Sequence, residues 1–361
     1  MKHIVFTVTN DLTHDQRMQR ICNSLHNAGY MVTLVGRTLS DSVPVSGNSF
    51  NQVRLNCKFH NGPLFYIEFQ VRLFIWLCSH RFHIISAVDD DTLLPCTLIS
   101  IIRQIPLVYD AHEYFTEVPE VHNRYVVKNV WQHLENTCVP HASLCYTVSH
   151  SLAQIFSAIH RTPFHVLYNV PVSATLQSTE MLAEPIRLVY QGDLNPGRGI
   201  ETAIHAIAQL NAELIVVGDG PLRSELERLV VLKRVQHKVI FLGYLPFDEM
   251  QRVTASSHLG LNLLSAEGLS YYYSLSNKFF NYIHAGIPQL CADFPEYRKI
   301  AKQYEVGMLI RNAEDELVRA VEHIINEPLY YRHLKKQCEV AKAEYNWEKS
   351  SSQLIGWYSH V

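Results

Sequence analysis

Four times in the second half of this chain a short apolar run ends in a loop of glycine and polar residues and hands over to a helical pattern or to the next such run. Ile186–Gln191 leads into Gly192–Gly199 and a helix over Ile200–Leu210. Glu213–Val217 leads into Gly218–Pro221 and a charged helix over Leu222–Leu232, and Val239–Leu242 and His258–Leu264 repeat the pattern. Short continuous apolar runs are strands buried on both faces, and strands joined through helices are parallel. Such units predict a doubly wound α/β domain, whose ligands lie beyond the carboxyl ends of its strands.

The first half reads the same way. Lys2–Thr9 is an apolar strand, Gln16–Ala28 has helical periodicity closed by Gly29, and Met31–Val35 is the next strand. The loop between them puts Asn10, Asp11, Thr13, His14, Asp15 and Arg17 at a ligand-facing rim, with helix capping and a surface ion pair as the plainer reading of Asp15 and Arg17. Leu64–Cys78 is apolar nearly all round and is expected to be a buried helix; a membrane-docking face is the alternative. His83–Val88 is a strand ending in Asp89, Asp90 and Asp91. That run fits a D-x-D metal pattern, but it precedes an apolar helix over Thr92–Ile102, so helix-capping carboxylates are expected. Pro106–Tyr109 is a strand followed by Asp110–Glu113, where His112 and two carboxylates, Asp110 and Glu113, make a candidate acid/base or positioning group.

Composition narrows the function. A net charge of -3 gives no general attraction to nucleic acid. The eight cysteines form no C-x-x-C pair and no leader pattern precedes the first strand, so reduced thiols and a cytoplasmic location are expected. No apolar run approaches the roughly 20 residues of a spanning helix, so any membrane contact is expected to be peripheral, at the inner face. The 20 histidines fall into no metal-ligand spacing, and no metal site is expected.

Ser274–Pro288, S-L-S-N-K-F-F-N-Y-I-H-A-G-I-P, reads as a polar loop entering a helix that Gly286 closes. Its start, at Ser276, Asn277 and Lys278, offers backbone N–H groups, a positive dipole end and a full charge, which suit a diphosphate. In G-D-L-N-P-G-R-G the glycines allow close approach and Arg198 can bridge a phosphate; the loop is neither a Walker A sequence nor G-x-G-x-x-G.

These stretches, together with I-V-V-G-D-G-P-L, F-L-G-Y-L-P, N-D-L-T-H-D-Q-R-M, A-V-D-D-D-T-L-L-P, V-Y-D-A-H-E-Y-F and N-W-E-K-S, resemble glycosyltransferase family 4 over nearly the whole chain. The members most similar build bacterial surface or capsular polysaccharides. The resemblance implies a GT-B fold, two doubly wound Rossmann-like domains facing a cleft. Pro171, Pro185 and an unpatterned polar run suggest a linker at 169–185, which sets the first domain at 1–168 and the nucleotide-sugar domain at 186–345, and the resemblance implies a terminal helix at 346–361 that crosses back. It implies a nucleotide-sugar donor, UDP-sugar favoured, without a cofactor, and a saccharide or lipid-linked saccharide acceptor, with retention of configuration. Arg198 and Lys278 would neutralise the diphosphate. Gly192, Gly218, Ser276 and Asn277 would approach it, and backbone at Tyr244 and Leu245 would meet the base. His112 would be catalytic, facing the donor sugar and the acceptor, with Asp15, Arg17 and Glu113 on the acceptor side. The sequence departs from the family's paired glutamates: Asn281 stands at the ribose position and Tyr273 at its partner, with Glu267 a substitute. Asp193 stands where arginine is common. A nucleotide-sugar epimerase or hydrolase, or a non-catalytic partner of a transferase, remains the alternative.

Overall fold

The structure is a computed structural model that describes residues 1–361 apart from 14, 41, 45, 46, 48, 174–181, 183 and 267, and apart from the side chains of 119 and 120. His14, Glu267 and much of the expected linker therefore lie outside the described residues. The chain forms two compact units, Met1–Asn169 with Ser350–Val361, and Val170–Lys349.

The first unit begins β1 (His3–Thr7), α1 (Gln16–Asn27), β2 (Met31–Arg37), β3 (Asn51–Leu55), α2 (Gly62–Ser79), β4 (Ile84–Val88) and α3 (Asp90–Arg103). It continues with β5 (Leu107–Ala111), α4 (Pro119–His122), α5 (Tyr125–Cys138), β6 (Leu144–Thr147), α6 (His150–His160) and β7 (Phe164–Val166). Its strands form one parallel sheet in the order β3-β2-β1-β4-β5-β6-β7, with Val5 of β1 opposite Thr33 and Ile85. The order reverses between β1 and β4, the position at which doubly wound sheets bind ligands.

The second unit runs β8 (Ile186–Gln191), α7 (Ile200–Ile207), β9 (Ala212–Val217), α8 (Arg223–Leu232), β10 (Val239–Gly243), α9 (Phe247–Ala255) and β11 (Leu259–Asn262). Then follow α10 (Leu269–Tyr272), α11 (Asn277–Ala285), β12 (Gln289–Ala292), α12 (Pro295–Gln303), β13 (Gly307–Ile310), α13 (Glu314–Asn326) and α14 (Pro328–Glu344), after which α15 (Trp347–Ser359) belongs to the first unit from Ser350 on. The sheet order is β10-β9-β8-β11-β12-β13, so its switch point lies between β8 and β11. Leu188, Leu214, Leu261 and Leu290, from four adjacent strands, share one core with Ile204 and Val321 of the covering helices.

Burial follows position in the sheet. Central β4 and β5 are buried at every residue, whereas β3, at the edge, is only half-buried and carries Asn51, Gln52 and Arg54. The sequence reading omits β3 for that reason, and omits β7 because three residues are too short a run to show a period. β5 also extends through Ala111, so Asp110 belongs to the strand rather than to the loop after it. Helix α2 departs from expectation. Phe65, Phe69, Leu73 and Leu77 are buried at i, i+4 spacing, but the opposite stripe, Leu64, Ile67, Val71 and Ile75, is 54–62% exposed. The last helix completes the first unit's core: Leu354 and Tyr358 are fully buried, and the Tyr358 hydroxyl donates to Ser86 Oγ at 3.2 Å.

Candidate active site

Three loops of the second unit are tied at the carboxyl ends of β8, β9 and β10. Gly192 N–H donates to Val217 O (3.0 Å) and Gly218 N–H to Gly243 O (2.8 Å). Gly218 sits at φ +131°, and a Cβ there would lie 2.0 Å from the Gly192 carbonyl oxygen, so only glycine lets the second loop cross the first.

Lys278, on the first turn of α11, is only 8% exposed, and its Nζ lies 4.1 Å from the centre of the Tyr190 ring at the end of β8. The Arg198 guanidinium lies 4.9 Å from the Tyr271 ring centre on α10, and its Nε is buried without a hydrogen-bond partner among the described residues. Neither cation enters an ion pair among the described residues. An aromatic face offers a cation about 0.5–2 kcal/mol, far less than a buried ammonium gives up on leaving water. Burial first, then Arg198, therefore holds the Lys278 ammonium well below the ordinary lysine range, against a smaller upward pull from Asp193. Two basic side chains brought together with no carboxylate between them favour an anion, which would supply the missing counter-charge. Ser265 Oγ and Asn312 Oδ1, beside Gly197 and Gly199, are likewise buried and unpartnered, as is Gln191 Nε2 on β8.

Ser276 stands at the N-cap of α11 but does not cap it. Its Oγ donates to Asn262 Oδ1 (2.9 Å) and its N–H to the Tyr297 hydroxyl (3.1 Å), which fixes the helix start against β11 and α12. Asn277 opens α11, and Asn281 lies one turn further on, half-buried. Tyr244 follows β10 and is 63% exposed, while Leu245, like Met250 and Val253, packs against the core cluster of Val189, Val217 and Tyr282.

The first unit's candidates differ from expectation. Arg17 is not on a rim: it is 4% exposed and its Nη2 donates to Asp110 Oδ1 (2.9 Å), with Asp110 fully buried. His112 Nε2 bonds the other oxygen of Asp110 (3.0 Å), and its Nδ1 lies 3.6 Å from Asp89 Oδ2. Asp89, at φ +55°, accepts the His112 N–H on Oδ1 (2.8 Å). The carboxylates of the D-D-D run are therefore not helix caps. Asp89 holds His112, Asp90 takes the Tyr109 hydroxyl (2.5 Å) and Asp91 takes Thr9 Oγ1 (2.5 Å). Nor do Asp110 and Glu113 form an acid/base pair, because Asp110 is committed to Arg17 and His112. Asp15 does cap α1, accepting from Met18 N–H. Among the described residues no group of three or more His, Cys, Asp or Glu is arranged to hold a metal ion.

Electrostatics sort these groups. Burial pulls His112 down, but Asp110 and Asp89 outweigh it and raise its pKa to about 9, so it is an imidazolium at neutral pH. Burial raises Asp89 to about 7 against the pull of His112, and raises Asp91 to about 6. Burial also pushes Asp110 upward, but Arg17 and His112 prevail and hold it below its usual range. Nothing in the sequence marks Tyr190 and Tyr271 as cation-bearing rings: one ends an apolar strand, the other lies in an aromatic turn.

Two family profiles match the chain: residues 185–327 match glycosyl transferases group 1, and residues 14–170 match a glycosyl transferase 4-like domain. Among curated proteins it is 22% identical over 181 residues to an alpha-D-kanosaminyltransferase of Streptomyces kanamyceticus, 48% of this chain and 45% of that protein. The chain aligns to less than half the length of each curated relative it matches. Sucrose-phosphate synthase of Thermosynechococcus elongatus superposes with a TM-score of 0.81 at 16% identity, covering 100% of this chain and 99% of that one. Anabaena HepE in complex with UDP-glucose superposes with a TM-score of 0.78 at 17% identity, covering 100% of both. With two doubly wound sheets and profiles that together reach from residue 14 to residue 327, the chain belongs to the group 1, family 4 glycosyltransferases and has the GT-B fold.

Proposed function

We propose that this protein moves a sugar from a nucleotide diphosphate to an acceptor hydroxyl. The observation that carries the reading is the pair Lys278 and Arg198, held over aromatic rings at the start of α11 and in the loop after β8, with no ion-pair partner among the described residues. As the bond to the sugar breaks, negative charge grows on the departing diphosphate. Two fixed cations and a helix start stabilise it most at that moment. UDP is the favoured donor nucleotide, supported by the HepE structures that contain UDP, UDP with glucose, and UDP-glucose. Asn281 would meet the ribose as a neutral hydrogen bonder. Configuration is retained in this reading, with a donor phosphate oxygen taking the acceptor proton. His112, a cation at neutral pH, serves as a hydrogen-bond donor to sugar oxygens rather than as a general base. The acceptor is a saccharide or lipid-linked saccharide of a surface polysaccharide or glycolipid.

The test is thermal unfolding against UDP-, GDP-, ADP- and CMP-sugars, with Lys278→Ala alongside. Saturating ligand at about 100 times its Kd stabilises by roughly 2.7 kcal/mol. A shift with one nucleotide that the variant loses supports the donor site and names the base. No shift with any of the four defeats the reading.

A further inference from the structure

Helices α2, α3 and α5 pack side by side on the first unit, with Tyr66 of α2 edge-on to Trp131 of α5 at 5.3 Å. Their inner sides are core. Their outer sides should be polar on a water-facing protein; on α2 and α3 they are apolar, and on α5 only the first two turns are. On α2 the outward stripe is Leu64, Ile67, Val71 and Ile75. On α3 it is Leu94, Leu98, Ile101 and Ile102, the last 66% exposed. On α5, Tyr125, Val126 and Val130 are 59–78% exposed, beside exposed Asn129, and the helix turns polar further on at His133 and Asn136. A shallow groove of about 400 Å³ between α2 and α3 is lined by Ile67, Val71, Phe74, Leu94 and Leu98. Monomeric soluble proteins seldom expose a contiguous apolar patch of more than a few hundred Å² unless it binds something.

The charges select the occupant. On these three helices the described acidic side chains are withdrawn: Asp90, Asp91 and Glu135 are buried, and Glu68 is bound by Arg72 and by the Lys58 and Phe59 amides. The cations lie at the ends and flanks. Arg81, between α2 and β4, and Arg124, at the start of α5, are exposed, as are His80 and His83. Arg103, at the end of α3, reaches the carbonyls of Cys78 and His80. Apolar side chains in the middle, cations at the margin and no outward carboxylate among the described side chains of these three helices match a bilayer whose headgroups are negative. We infer that the outer face of the α2, α3 and α5 layer docks on an anionic lipid surface. No helix is long and apolar enough to cross a membrane, so the contact is one of lying on the surface.

Co-sedimentation of the full chain with phosphatidylcholine vesicles, and with mixed phosphatidylcholine and phosphatidylglycerol vesicles, tests this. Binding is expected to the mixed vesicles and to weaken with salt. Neutral Ile67→Gln with Val71→Gln, and Leu98→Gln with Ile101→Gln, should each reduce it roughly tenfold or more, and Arg81→Gln by a smaller factor that disappears in high salt. These side chains are exposed, so the urea midpoint of each variant should match the parent; a variant that fails this check is replaced by the other pair. Vesicle binding that neither pair weakens overturns the proposal. So does absence of vesicle binding, whether the chain is then monomeric or forms a dimer in sedimentation velocity that the glutamine variants dissolve, which would assign the face to a second copy.

Discussion

The two sheets present opposite electrostatic solutions at their carboxyl edges. In the first unit, Arg17, Asp110, His112 and Asp89 form a chain of alternating charge, each member within 3.6 Å of the next. In the second, Lys278 and Arg198 lie over aromatic rings and share no carboxylate among the described residues. A network closed on itself holds side chains in place. An unbalanced one stores affinity for a ligand and costs stability while empty. The first network therefore holds its own side chains in place, whereas the second is the one we propose receives the donor.

Breaking the closed network should produce the largest effect. Arg17→Ala leaves Asp110 buried beside His112 alone and is expected to cost about 3–5 kcal/mol of folding free energy, as for other buried pairs stripped of one partner. Adding Asp110→Asn should recover part of that loss. Urea unfolding of the single and double variants measures both; a loss under about 1 kcal/mol would mean that His112 alone balances the carboxylate.

The unbalanced site should behave in the reverse sense. Lys278→Met removes a buried ammonium, so the ligand-free protein is expected to melt at a higher temperature, while turnover falls by roughly a hundredfold to a thousandfold. Stability gained and activity lost in one substitution is what a ligand-directed charge gives. A variant that lost both would place Lys278 in the fold instead.

A smaller effect concerns protons in the first unit. With its folded pKa raised to about 9, His112 contributes stability that is fully present below about pH 6.5 and is lost as pH rises through about 9. The slope is at most about 1.4 kcal/mol per pH unit for one proton. Nitrogen-15 NMR of the imidazole reads the titration directly; a midpoint near 6.5 would show that Asp110 and Asp89 do not hold it charged.

The comparison also marks what the sequence could reveal. Central strands such as β4 and β8 are legible because burial on both faces makes them apolar throughout, and the crossover rule then sets their direction. Lys278 and Arg198 are legible because a helix start and a glycine loop have a local grammar. The bond between Arg17 and Asp110 joins residues 93 apart in the chain and appears only once β5 lies beside β1's neighbour in the sheet. Tyr190 and Tyr271 look like ordinary core aromatics until Lys278 and Arg198 are placed on them. For α2 the difficulty is different: its composition shows an apolar circumference but not how many neighbours arrive to cover it.

The sharpest form of the contrast is the sign of proton linkage. Lys278 is held below its unfolded value, first by burial and then by Arg198, so the unfolded chain binds more protons than the folded one across that window. Stability from this group therefore rises with pH, the reverse of His112. A bound diphosphate restores the counter-charge and raises the Lys278 pKa, so donor binding should take up a fraction of a proton, at most about one, and weaken as pH rises through the free-state pKa. Calorimetric titration with a UDP-sugar in buffers of different ionisation enthalpy measures the uptake, and Lys278→Ala should abolish it. Heats that do not depend on the buffer between about pH 7 and 10 would mean that Lys278 is already charged when empty. The upward pull of Asp193 would then exceed the cost of burial, and the second site would be closer to the balanced design of the first.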